Sequence, residues 1–224
     1  YGDVSCLNEN SRIHTSRIDE IGAAGMTFTD AHASSAVCTP SRYSILTGRY
    51  NWRSALKKGV IGGFTPHLIE SGRMTVASYL REKGYATGCV GKWHLGMDWQ
   101  VSDGEFLPSE DPAVTHWHGN TTPAVDYTLP VKNGPIDYGF DYFFGISASL
   151  DMAPYVYIEN DRPTAVPNRI CEGETGKRMY RPGPVAPDFQ HESVTPALTE
   201  KACSFVRQKA ETGQPFFLYL PLPS

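Results

Sequence analysis

The stretch TVASYLREKGYATGCVGKWHLG, residues 75–96, decides the fold. Thr75 to Lys83 predicts a helix that Gly84 closes, because glycine adopts the left-handed conformation that ends helices. Tyr85 to Val90 predicts a strand directly after it. The same alternation extends outward. Upstream, Arg17 to Ala24 predicts a helix and Met26 to Thr29 a strand. Thr39 is the expected N-cap of a short helix, with Pro40 in its first position and Gly48 at its end. Downstream, Phe140 to Phe144 and Tyr155 to Glu159 predict short aromatic strands. Ser193 to Lys209 predicts a helix with Ala197, Leu198, Ala202, Phe205 and Val206 on one side, and Phe216 to Leu220 a buried strand. Helices alternating with strands indicate an α/β layer. Met97 to Pro135 and Pro163 to Pro187 are polar or Pro/Gly-rich and predict long loops, a common home for function.

The composition narrows the classes. The 224 residues are 40% hydrophobic and 20% charged, the profile of a folded globular chain. A net charge of −4 argues against nucleic acid as a partner. No apolar run reaches bilayer length. The five cysteines, Cys6, Cys38, Cys89, Cys171 and Cys203, include no CxxC pair, so neither a disulfide scaffold nor a structural zinc site is expected. The opening residues Tyr1-Gly2-Asp3-Val4 carry no signal-peptide pattern and read as the interior of a longer chain.

Two segments carry chemistry. Cys38 stands immediately before a predicted helix N-terminus, where unpaired N–H groups and the helix dipole favour an anion. Arg42, four residues on, adds a permanent positive charge near the same face. A structural cysteine beside an exposed arginine is the plainer alternative. In the second segment, a strand continued from Val90 to His94 puts Lys92 and His94 on one face and Trp93 on the other. Lys92 then offers a point charge and His94 a base that titrates near neutrality. A surface lysine and a hydrogen-bonded strand histidine are the alternative here.

The order Cys38-Thr39-Pro40-Ser41-Arg42, followed by Leu46-Thr47-Gly48-Arg49, resembles the signature of the type I sulfatases, C-x-P-S-R then L-T-G-R. Gly91-Lys92-Trp93-His94-Leu95-Gly96 is similar to that family's second signature. Tyr1-Gly2-Asp3, Gly139 to Gly145 and Pro215 to Tyr219 extend the resemblance over most of the chain. It implies an alkaline-phosphatase-like α/β/α sandwich with a mixed, mainly parallel sheet. It also implies hydrolysis of a sulfate ester, on a sugar or an aryl group. Cys38 would be oxidised to formylglycine by a maturation enzyme. One hydroxyl of the hydrated aldehyde attacks sulfur, and deprotonation of the other expels sulfate. A divalent cation, usually calcium, would stabilise the charge, with the matured Cys38 among its ligands. Arg42 would hold the diol, Lys92 would bridge it to the sulfate, and His94 would take the proton.

His191 is a candidate for lining the substrate pocket beside Lys92, a helix-capping or surface role being the alternative. Asp151, Tyr155 and Tyr157 lie where such enzymes shape specificity. His116-Trp117-His118 is a weaker candidate for sugar stacking, and Asn120-Thr121-Thr122 is an N-glycosylation sequon. The family's Asp-Asp pair precedes the segment matching Tyr1, its later histidine follows the segment matching Phe216 to Leu220, and its remaining metal ligands and second lysine have no counterpart here. Asp3 stands downstream of the missing pair and receives no metal role. The chain, residues 1–224, is therefore expected to be the central portion of a catalytic domain, without the first strand and the C-terminal part. The family's location is the periplasm, the extracellular space or the lysosome. Two other readings are a phosphate or phosphonate monoester hydrolase with the same nucleophile, and a non-catalytic sulfated-glycan binder whose Cys38 stays a thiol.

Overall fold

A computed structural model describes residues 2–108 and 123–223. The His116-Trp117-His118 and Asn120-Thr121-Thr122 candidates lie outside them. The chain divides into two units, Tyr1–Ala33 and Ser34–Ser224. In the first, a single 3-10 turn, Ser5–Leu7, precedes helix α1, Ser16–Ala24. Asp19 of α1 ties them together, accepting from Ser5 Oγ at 2.6 Å, Thr15 Oγ1 at 2.8 Å and the Cys6 amide at 3.0 Å. The strand expected over Met26 to Thr29 does not form: the segment is irregular, with Met26 76% and Phe28 75% exposed. A strand exists through the ladder it makes with a neighbour, and none among the described residues pairs with this one.

The second unit opens with α2, Cys38–Thr47, ended by Gly48 in the left-handed conformation. Its N-cap is Val37, not Thr39, which lies inside the first turn with Cys38 as the first helical residue. Pro40 is tolerated there because first-turn amides have no partner within the helix. Helix α3, Val76–Glu82, begins as expected from Thr75. Thr75 Oγ1 accepts from the Ser78 amide at 3.0 Å, and Ser78 Oγ accepts from the Thr75 amide at 2.9 Å. This reciprocal cap satisfies two donors that would otherwise be unpaired.

Strand β1, Ala86–Lys92, is buried along its whole length. The expected loop after it holds a small hairpin of β2, Gln100–Ser102, and β3, Glu105–Phe106. Then come β4, Tyr142–Ile146, and the two-residue strands β5, Ile158–Glu159, and β6, Arg162–Pro163. The second Pro/Gly-rich loop contains another hairpin, β7, Arg169–Cys171, with β8, Gly183–Val185. Helix α4, Val194–Thr212, and strand β9, Phe216–Tyr219, complete the unit. β9 is half-buried rather than fully buried.

The main sheet runs β6-β5-β4-β1-β9. β1 is parallel to both β4 and β9, while β5 and β6 are antiparallel. Consecutive residues of β1 face opposite sides. A Cβ on Gly88 would stand 2.8 Å from the Phe205 ring of α4, so glycine lets that helix approach closely. Cys89 faces the other way and feels the charge of Arg42 in α2. Helices thus cover both faces of the sheet. The C-terminal end of its central strand carries Lys92, where α/β sheets place their sites.

Candidate active site

The first candidate residues converge at that strand end. Cys38 is the first residue of α2, half-buried and free as a thiol. Arg42, one turn on, donates from Nη1 to the carbonyl of Lys92. Cys38 lies close enough to the Lys92 ammonium to act on it electrostatically. Residues 50 or more apart in sequence therefore meet at one point. Lys92 is only 7% exposed. Burial pushes its pKa down, reinforced by the charge of Arg42 and opposed by Cys38 and the Asp151 carboxylate. A buried and a half-buried cation beside one sulfur make a pocket for an anion.

His94 reaches the cluster by a different route from the one expected. β1 ends at Lys92, and His94 takes a left-handed backbone with φ 57°. Strand alternation therefore does not orient it. Such a conformation in a non-glycine residue is uncommon and clusters at functional sites. The His94 amide instead donates to Ser147 O at 2.9 Å, and its ring Nε2 to Ile61 O at 2.7 Å. A carbonyl only accepts, so Nε2 carries the proton and Nδ1 the lone pair. Nδ1 is buried with no hydrogen-bond partner among the described residues. Burial, with the Lys92 ammonium next, lowers the His94 pKa to about 3. The free ring is thus a neutral acceptor, and an anion seated between Lys92 and Arg42 would offset part of that depression. Arg42 Nε and Ser147 Oγ are likewise buried and unpartnered.

Asp151 completes the electrostatics. Its charge acts on both Lys92 and His94. It is ion-paired to Arg181 Nη1, which also donates to the Asp151 carbonyl at 2.9 Å. Burial pushes the Asp151 carboxyl up, but the Arg181 and Ser149 hydrogen bonds outweigh it and keep the group ionised. Tyr155 is fastened to the same arginine, its hydroxyl donating to Arg181 O at 2.7 Å. Tyr157 instead stacks on Phe144, at 5.2 Å between centroids. His191 is not in contact with the cationic cluster. Its ring stacks on Tyr180 at 4.2 Å between centroids and meets the Tyr155 ring at a tilt at 4.8 Å. Burial lowers its pKa. Arg181, Ser147 and Ile61 escaped the sequence reading, having no motif and touching the site only through the fold.

Among the described residues no group of three or more His, Cys, Asp or Glu side chains is placed to hold a metal. Calcium takes about six to eight oxygen ligands. Asp151 is already paired with Arg181, so these residues do not by themselves fit that ion.

The sulfatase family profile matches residues 2–224. An N-acetylgalactosamine-6-O-sulfatase of Bacteroides thetaiotaomicron is 30% identical, the match covering 98% of this chain and 44% of that protein. Human arylsulfatase A is 30% identical over 98% of this chain and 38% of its own length. A solved Bacteroides thetaiotaomicron sulfatase, reported with the metabolism of multiple glycosaminoglycans, superposes with a TM-score of 0.69 at 28% identity, covering 92% of this chain and 45% of that one. The chain therefore spans about two fifths of the length of the curated relatives it matches. With the mixed, mainly parallel sheet of the alkaline-phosphatase-like fold and both signatures meeting at one strand end, it belongs to the sulfatase family, of the type I, arylsulfatase-like kind.

Proposed function

We propose that the protein carrying this chain hydrolyses a sulfate monoester of a sugar, releasing inorganic sulfate. The observation that carries this reading is the meeting of Cys38, Lys92 and Arg42 at the end of β1, with the His94 ring, its Nδ1 unpartnered, near enough to feel both cations. Cys38 is read as the precursor of formylglycine, made by a maturation enzyme; hydrated, that group supplies one hydroxyl to attack sulfur and a second whose deprotonation frees the sulfate. The residues of this chain do the rest. Arg42, held against the Lys92 carbonyl, fixes the nucleophile at the start of α2 and balances its charge. Lys92 binds a sulfate oxygen, its ammonium drawn into the site by Cys38 and Asp151. His94 accepts the proton at Nδ1, and its Nε2–H remains committed to Ile61 O throughout. Water exclusion strengthens each of these contacts, since charges interact more strongly where the dielectric is low.

The family implies calcium, with the matured Cys38 among its ligands. The carboxylates for that site belong to parts of the domain other than this chain, which is read as the central portion of the catalytic domain. His191, with Tyr155 and Tyr180, is read as a wall of the substrate pocket rather than a sulfate ligand. The name of the Bacteroides relative supports a sulfated amino sugar as substrate. The location read from the family is extracytoplasmic; among the described residues no helix is long and apolar enough to cross a membrane.

The test is parallel turnover of 6-O-sulfated N-acetylgalactosamine, an aryl sulfate and the matching phosphate esters by the matured full-length protein. Sulfate release with little phosphate release is expected. Brisk phosphatase activity without sulfate release would favour the phosphate monoester reading. Neither activity, with Cys38 still a thiol, would favour a glycan-binding role.

A further inference from the structure

Residues 61–68 are laced to residues 94–98 along their whole length. Ile61 O accepts from His94 Nε2 at 2.7 Å, Thr65 O from the Met97 amide at 3.2 Å, and Leu95 O from the Leu68 amide at 2.8 Å. A Cβ on Gly96 would stand 2.0 Å from Pro66 O, and its φ is +75°, so glycine is what lets the two segments lie this close. The Ile61 amide also reaches Thr39 Oγ1 at 3.4 Å, beside Cys38.

The lacing closes on a hydrogen-bonded histidine–carboxylate pair that the chemistry of the site does not use. The His67 amide donates to Asp98 Oδ1 at 3.1 Å, and His67 Nδ1 lies 2.8 and 2.9 Å from the two carboxylate oxygens. Asp98 is itself anchored from behind. Asn133 Nδ2 donates to Oδ2 at 2.6 Å, and the Asp98 backbone pairs with that of Lys132 at 2.7 and 3.0 Å. Burial pushes the Asp98 carboxyl up, but the bonds from His67 and Asn133 outweigh it and hold it below its usual value. The hydrogen bond with Asp98 raises His67 against the effect of its own partial burial.

We infer that His67 is a positioning residue for His94: its pair with Asp98 clamps residues 61–68 onto residues 94–98 and so holds the Ile61 carbonyl that keeps the His94 proton on Nε2. His67 never touches substrate. Without the clamp the Ile61 carbonyl drifts, the His94 ring loses its fixed tautomer, and the fraction with Nδ1 ready to accept falls. The inference rests on the reading of His94 as the proton acceptor.

The test uses the matured full-length protein with His67→Ala, His67→Asn and His67→Gln, each assayed for kcat and KM and by 15N NMR of the His94 ring. Asparagine places an amide donor where Nδ1 stands, and glutamine displaces it by one methylene. His67→Ala should lower kcat about tenfold, the worth of one well-placed hydrogen bond, with KM falling alongside it because the slowed step follows formation of the covalent enzyme, and with His94 signals showing mixed tautomers. His67→Asn should restore both kcat and the Nε2–H tautomer. Wild-type kcat in folded His67→Ala, or an unaltered His94 tautomer, would overturn the inference. Should His67→Ala fail to fold, the comparison of Asn with Gln decides: a higher kcat in Asn supports the clamp and equal values contradict it. If the wild-type protein releases no sulfate, the functional reading fails, and the NMR comparison still decides the clamp.

Discussion

At the scale of single residues, the site turns on how burial and neighbouring cations set His94. Its pKa in the folded protein, about 3, lies below the ordinary 6.5, so between these values the unfolded chain binds more protons than the folded one. Stability contributed by His94 is therefore present above about pH 6.5 and drains away as pH falls toward 3. His67 has the opposite sign: its raised pKa contributes stability in acid that is lost as pH rises through the folded value. Replacing His94 with Gln should flatten the acid limb of a stability profile followed by urea unfolding at a series of pH values. An unchanged acid limb would mean that the ring is not held neutral. In turnover, His94→Ala should slow release of sulfate from the covalent enzyme by about 10²- to 10⁴-fold, the usual worth of a positioned general base. Rapid-quench detection of a sulfated Cys38-derived residue that accumulates in the variant checks this. Turnover near the wild-type rate would remove His94 from the mechanism.

The elements show which parts of the structure were legible in the chain. α3 was, because Thr75 and Ser78 cap it locally and Gly84 ends it. So were β1, α4 and β9, whose apolar patterns are long enough to speak for themselves. Met26 to Thr29 forms no strand because a short apolar run needs a partner to become one. Thr39 is not the N-cap because a good capping residue does not exclude a helix that starts one residue earlier. Cys38, Arg42, Lys92 and His94 were legible as motifs, yet not their geometry: the chain leaves the strand at Lys92, and His94 is oriented by Ile61 and Ser147 instead. Ile61, Asp98 and Arg181 act through partners about 30 residues away in sequence, which no local pattern encodes. The α3 cap offers a test of element-scale energetics. Thr75 Oγ1 also donates to Tyr138 O at 2.6 Å, so Thr75→Ala removes two contacts. It should cost about 1–2 kcal/mol, read as a lower denaturant midpoint at constant m. No shift in the midpoint would mean that water replaces the cap without loss.

Across the molecule, the parallel trio β4-β1-β9 is the frame that lets distant segments share one site. β1 delivers Lys92, the chain continuing from β4 delivers Ser147 and Asp151, and α2 delivers Cys38 and Arg42 on the face that Cys89 presents. One side of the sheet is packed with aromatic rings, Phe140 lying against Trp93, Phe217 and Tyr219. That packing holds the strand ends in place, as the proposed nucleophile, cation and base need to be held to act together. In the proposed function, the group at position 38 is the nucleophile of sulfate ester hydrolysis. Inorganic sulfate released from 6-O-sulfated N-acetylgalactosamine by the matured full-length protein, compared with its Cys38→Ala variant, tests it most directly. A methyl group cannot be oxidised to the required aldehyde, so the variant should fold normally and release no sulfate above background. Sulfate release by Cys38→Ala at the wild-type rate would contradict the claim.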